Sequence, residues 1–171
     1  MSKLYILLYH GVISESLKLG GRNSSGKHIR VSEFAKQMDY ISKNFNLVSM
    51  NDIENHVSKK KLITRDSVAV TFDDGFLNNY TIAWEILEYY RVPATFYLST
   101  GFISSKKKIW TDILEIIFFN RDSDYIKVED EIIELKTINA RITEFVKLKN
   151  KLKKFKNNHL KKFMKKISNL N

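Results

Sequence analysis

A chain of 171 residues with 43% hydrophobic and 12% aromatic side chains can bury a core, which excludes a disordered polymer. It contains no cysteine, so disulfides, thiolate metal sites and cysteine nucleophiles are excluded, and a metal site must use His, Asp or Glu. The formal net charge is +10, and the whole excess lies in residues 141–171, where Glu144 is the single acid.

Lys3 to Tyr9 is an apolar, β-rich run closed by His10-Gly11, and it reads as a buried strand. Glu15 to His28 is rich in Gly, Ser and Asn and reads as a long loop. Ser32 is a candidate cap for a helix through Phe45, because Phe34, Met38 and Ile41 recur at helical spacing. A short strand, Leu47 to Met50, precedes a helix opened by Asn51 or Asp52 and running to about Lys60. Ser67 to Phe72 (SVAVTF) is the strongest strand, apolar and β-branched as in a strand covered on both faces. Leu77 to Arg91 reads as a helix with Ile82, Ile86, Leu87 and Tyr90 on one side, ended by Pro93, the single proline. Ala94 to Leu98 is the next strand. Strands alternating with helices argue for an α/β fold with a mainly parallel sheet.

The remainder has a different character. Trp110 to Phe119 is predicted helical, and Tyr125–Val128 with Ile132–Leu135 can form a hairpin around Glu129-Asp130-Glu131. Asn139 to Phe155 and His159 to Ile167 read as basic amphipathic helices separated at Asn157-Asn158. Lys106-Lys107-Lys108 reads as a solvated loop. The expected division is 1–105 and 106–171, with the change in charge setting in near Thr137–Ala140.

The chemistry candidate is Asp73-Asp74-Gly75, directly after the strongest strand. Ligands bind at the C-terminal ends of strands in parallel α/β folds. Neighbouring strand residues point to opposite faces, so two adjacent acids can share one pocket only if the backbone turns, which Gly75 permits. Close carboxylates split their pKa values unless a cation neutralises them. One Asp as ligand and the other as base is the natural division of labour. The plain alternative is a turn in which either acid caps the next helix.

VAVTFDDGFLNNYTIAWEILEYYRVPATFYLSTGFI, residues 68–103, resembles the first half of a polysaccharide deacetylase domain, carbohydrate esterase family 4. TFDDG, Thr71 to Gly75, is similar to that family's first motif. LLYHGV, residues 7–12, and HIRVSEFAKQMDYISKNFNLVSMNDI, residues 28–53, resemble a bacterial branch of surface-polysaccharide proteins. Ile109-Trp110-Thr111-Asp112 resembles an insertion of that branch. The resemblance spans about residues 4–115.

What the resemblance implies is a partial (β/α) deacetylase-type barrel carrying a helical, basic C-terminal extension. Asp73 would be the base that activates water and Asp74 the ligand of a divalent metal, usually zinc. The reaction would be hydrolysis of N- or O-acetyl groups on a carbohydrate, in surface-polysaccharide metabolism. His10, ending the first strand, is a candidate for lining the same mouth. The family completes its metal site with a His-x-x-x-His segment. The histidines here, His10, His28, His56 and His159, include no pair four apart. The expectation is therefore a truncated deacetylase, inactive or nearly so alone, or one completed by a partner chain. His28 and His56 read as surface or loop histidines, His159 as solvated, and Trp84, Tyr89 and Tyr90 as packing residues.

A competing class is a non-catalytic binding or interaction module. Its basic segment, residues 141–171, suits an anionic membrane surface, whereas no motif supports a specific nucleic acid. The blander reading is a helical insertion whose apolar stripe is buried in protein. No apolar run approaches the roughly 18 residues of a membrane span. Leu4–Tyr9 is shorter than the core of a signal peptide. The expected location is cytoplasmic, membrane-peripheral where the basic segment engages lipid.

Overall fold

β5 (Ser67–Phe72) is buried along its whole length and organises the first part of the chain. A computed structural model describes residues 2–16, 23, 26–105, 108–120, 122–129 and 131–168. Most of the loop expected between Glu15 and His28, together with Lys106, Lys107 and Asp130, lies outside these residues. The described chain forms two compact units, one of 2–16 and 26–103, the other centred on 104–168.

In the first unit β1 (Leu4–Tyr9) runs parallel to β5 in a register that pairs Leu4 with Ser67 and Tyr9 with Phe72. The opposite edge of β5 is shared. β4 (Asn46–Leu47) pairs with its first two residues, and β6 (Ala94–Phe96) with its last three, both parallel. Two shorter strands, β2 (Gly11–Ile13) and β3 (His28–Arg30), pair parallel in a separate ribbon. The observed class is mixed α/β, and every pairing in the main sheet is parallel.

Side chains divide between the two faces of β5. Val68, Val70 and Phe72 pack with Phe34 and Met38 of α1 (Val31–Asn44) and Leu87 of α3 (Trp84–Tyr89). Ala69 packs from the other face with Val48 and with Ile53 of α2 (Met50–Val57). Burying such side chains stabilises by roughly 1.5–3 kcal/mol each, so this cluster holds the sheet to its helices.

Four sequence expectations need correction. β1 is not uniformly buried: Ile6 and Leu8 are 50% and 57% exposed, because they alternate with Leu7 and Tyr9, which pack against the core, and so share the opposite face. α1 is not capped by Ser32. Arg30 holds the N-cap position without a side-chain bond, and the Glu15 carboxylate accepts the Ser32 backbone N–H at 3.1 Å. α2 starts one residue before Asn51, at Met50. The stretch after Gly75 is not one regular α-helix, because Asn79–Ala83 is a π turn ahead of α3.

Ser49 caps α2 with a reciprocal box. Its Oγ accepts from Asp52 N–H at 3.1 Å, and Asp52 Oδ2 accepts from Ser49 N–H at 2.9 Å and from Ser49 Oγ at 2.6 Å. These bonds, the side-chain one foremost, lower the Asp52 pKa; Ser32 likewise lowers that of Glu15. A carboxylate with a lowered folded pKa adds stability above its unfolded pKa, and loses it as pH falls through the folded value. Stability against thermal unfolding is therefore expected to fall on acidification below about pH 4, the ordinary carboxylate range. Ser49→Ala should flatten that acid-side slope; a melting series from pH 7 to pH 2 checks it.

The second unit has its own core. α4 (Trp110–Phe119), a hairpin of β7 (Tyr125–Val128) and β8 (Glu131–Glu134), α5 (Ile138–Leu152) and α6 (Asn157–Ser168) enclose Leu114, Phe118, Leu135, Phe145, Leu152 and Phe163. Thr137 caps α5 by accepting from Ala140 N–H at 3.1 Å. The Arg141 guanidinium donates to the Phe118 carbonyl at 2.7 Å, satisfying an acceptor at the end of α4, and to the Ser123 carbonyl ahead of β7 at 2.9 Å. The apolar stripes of α5 and α6 are spent within this core, while their lysines are exposed except Lys149, which is half-buried over the Phe145 ring.

Candidate active site

The acidic pair sits where β5 runs out. Asp73 still belongs to the ladder, since its N–H donates to the Tyr9 carbonyl at 2.9 Å, and on the other edge Tyr97 N–H donates to the Phe72 carbonyl at 2.7 Å. The next two residues turn sharply: Asp74 and Gly75 both have φ of +69°. Asp is among the few non-glycine residues that accept this left-handed region. Both carboxylates are half-buried. Ser99 Oγ donates to Asp74 Oδ1 at 3.3 Å, tying the turn to the loop after β6. The strands flanking the pair lie side by side, so both acids stand at the C-terminal edge of a parallel sheet.

Gly75 has a conformational and a steric reason to be glycine. A Cβ there would lie 2.7 Å from Leu98 Cδ2, besides requiring the left-handed backbone. Gly75→Ala is expected to destabilise by about 1–2 kcal/mol, because alanine is strained at positive φ. A urea denaturation midpoint followed by circular dichroism reads the loss.

Beneath the turn lie four aromatic rings. Phe72 stacks on Phe96 at 5.0 Å between centroids and meets Tyr9 and Phe34 at 5.4 and 5.8 Å. The Tyr9 hydroxyl donates to Gln37 Oε1 at 2.6 Å, and burial pushes its pKa up to about 12. Tyr9 therefore acts as a neutral donor that fixes the strand end beside Asp73.

His10 is half-buried between β1 and β2, next to the residue whose carbonyl receives the Asp73 N–H. His28, read from sequence as a surface or loop histidine, instead lies in β3, edge-on to Phe76 at 4.8 Å and 3.4 Å from Asn78 Nδ2. Gly11 makes this possible, because a Cβ there would run into His28 and Asn78. His56 accepts Ile63 N–H through Nδ1 at 3.0 Å and closes the loop after α2, and His159 stacks on Phe155. Ser99, Asn78 and Asn79 carried no motif signal. Their places near the turn follow from the strand pairing and the π turn.

Residues 60–118 match the family model for polysaccharide deacetylase, a span holding β5, the acidic turn and β6. Over that span the chain is similar to the polysaccharide deacetylases. It is 29% identical over 100 residues to YxkH of Bacillus subtilis (strain 168), a protein named for polysaccharide deacetylation, covering 57% of this chain and 32% of that protein. It resembles the structure of IcaB from Ammonifex degensii, with 26% identity and a TM-score of 0.52, covering 70% of this chain and 50% of that one. It shares a fold with the Streptococcus pyogenes deacetylase PplD, solved in complex with acetate, at 21% identity and a TM-score of 0.50, covering 69% and 52%. The chain thus spans about a third of this curated deacetylase relative and about half of each solved one.

Deacetylases of this family generally depend on a metal. Among the described residues no group of three His, Cys, Asp or Glu is placed to hold a metal ion. A catalytic zinc normally has three protein ligands, so the described residues do not by themselves fit one. What the turn offers is two adjacent carboxylates, the second of them oriented by Ser99. No described helix is long and apolar enough to cross a membrane.

Proposed function

We propose that this chain carries the aspartate-bearing portion of a metal-dependent carbohydrate deacetylase, acting on N- or O-acetyl groups of sugars in surface-polysaccharide metabolism. The observation that carries the reading is the Asp73-Asp74-Gly75 turn at the C-terminal end of the central parallel strand. In this reading the first unit is the leading part of a (β/α) barrel. The exposed Ile6 and Leu8 face of β1 supports it, since a closed barrel covers that face. Asp73 is the general base on water and Asp74 one metal ligand; His10 lines the mouth. The remaining ligands come from outside the described residues, or from a partner chain.

Acetate release from acetylated chito-oligosaccharides with added zinc tests this. The chain alone is expected to release no more acetate than its Asp73→Asn variant, because one carboxylate pair does not hold a catalytic cation. Adding the C-terminal half of the Ammonifex degensii relative is expected to supply what is missing. Turnover that ignores both aspartates, alone or complemented, overturns the reading.

A further inference from the structure

The lysines of the second unit have no part in the deacetylase reading. Of the twenty residues from Lys147 to Lys166, ten are lysine and none is acidic. On α6 the buried Phe163, Met164 and Ile167 belong to the core of the unit. Lys161, Lys162, Lys165 and Lys166 fall on the opposite side of the helix and are exposed. They form two rows at i,i+4 spacing, where like charges weaken a helix. Elsewhere the chain offsets such lysines: on α1, Lys36 pairs with Glu33 at 2.9 Å and Lys43 with Asp39 at 2.7 Å. Lys161, Lys162 and Lys166 have no ion-pair partner among the described residues. Lys153, Lys154 and Lys156, in and beside the turn that leads into α6, are exposed as well and extend the positive field. A face that costs its own helix stability and is not neutralised within the chain is complementary to an anion outside it.

We infer that the outer face of α6 docks the chain on an anionic phospholipid bilayer, by charge and without insertion. The inference goes beyond the deacetylase reading and does not depend on it. An amphipathic helix that enters a bilayer lays its apolar stripe in the acyl boundary. Here the stripe of α6 is occupied by the unit's own core, so the contact left to the helix is electrostatic. A basic cluster of this size is held by the negative surface potential of anionic lipid, and each lysine near the surface strengthens binding about fivefold. The side chains favour a bilayer over nucleic acid. Reading a nucleic acid takes arginine forks on base edges or exposed aromatic rings on base faces. Arg141, the one arginine in residues 141–171, donates to the Phe118 and Ser123 carbonyls, and Phe155 is stacked on His159. Lysine ammonium groups are point charges, suited to a headgroup surface with no fixed pattern.

The test is co-sedimentation of the full chain with two kinds of vesicle, phosphatidylcholine alone and phosphatidylcholine mixed with phosphatidylglycerol. The expected result is binding to the mixed vesicles at about 0.1 M salt, where charges are felt over about 10 Å, and release at about 1 M, where the range is about 3 Å. Phosphatidylcholine alone should bind nothing. Lys161→Gln, Lys162→Gln and Lys166→Gln together should weaken binding about a hundredfold. The circular dichroism spectrum should not change, since glutamine is about as good a helix former as lysine. Lys59→Gln, Lys60→Gln and Lys61→Gln together remove the same charge from exposed positions of the first unit, and should change binding less than about twofold. Absence of binding to the mixed vesicles, binding that persists at about 1 M salt, or equal losses in the two triple variants overturns the inference. So does displacement of the chain from the vesicles by duplex DNA at equal phosphate concentration, which would make nucleic acid the partner.

Discussion

Asp73→Asn is expected to cut acetate release by the complemented protein about 10²–10⁴-fold, the usual worth of a positioned general base. The expectation follows from where the backbone puts this residue. Its amide is bonded to Tyr9, so its position is fixed by the β1–β5 ladder rather than by a loop. Asparagine preserves that bond and the side-chain shape, and removes only the basic oxygen. The loss should therefore fall on kcat, with little change in KM, if the carboxylate acts on water rather than on sugar binding. Asp74→Asn should behave differently. It keeps an oxygen for Ser99 and weakens any cation grip, so part of the loss should recover as zinc is raised. Equal, zinc-independent losses in both variants would contradict the assignment of base and ligand. Rates measured across a zinc series for the two variants make the comparison.

Legibility in the sequence tracked how local the cause was. SVAVTF could be read as a strand covered on both faces because it holds no charged or large polar residue, and all six residues are buried, Ser67 and Thr71 included. Phe34, Met38 and Ile41 revealed α1 by spacing, and each is buried. The acidic turn was readable because Asp-Asp-Gly after a strand specifies a backbone direction as well as a charge. The ribbon of β2 and β3 was not readable: it is three residues on three, joined across sequence by Gly11, His28 and Asn78. The start of α1 misled because Ser32 has the right chemistry for a cap, whereas the helix already begins at Val31 and the carboxylate that accepts an N-terminal amide, Glu15, comes from far back in the chain. The π turn escaped because inserting one residue leaves the composition of a helix unchanged. No histidine ligand set could be read, because His28, His56 and His159 are distributed among unrelated contacts.

Phe72→Ala is expected to destabilise the first unit by about 3–5 kcal/mol, a large part of the roughly 5–15 kcal/mol that holds a typical domain. Phe72 is fully buried and touches rings from three directions: Tyr9 of β1, Phe34 of α1 and Phe96 of β6. Removing it deletes the ring and leaves a hole walled by the other three, which cannot all close on it while their strands keep register. Phe72→Leu should cost less, because it restores most of the volume. Phe72 also precedes Asp73 on the strand, so loosening the strand end at Phe72 displaces the backbone that carries the carboxylate. The fold and the site should consequently fail in order of size: Leu should retain the Asp73-dependent rate in part, and Ala should lose it before the unit has fully unfolded. Urea transitions followed by Trp84 fluorescence in a Trp110→Phe background read the first unit, and acetate release from the complemented variants reads the site. A Phe72→Ala chain that unfolds at the parent's urea concentration would show that the ring cluster does not hold the strand end, and the rigid placement of Asp73 would go with it.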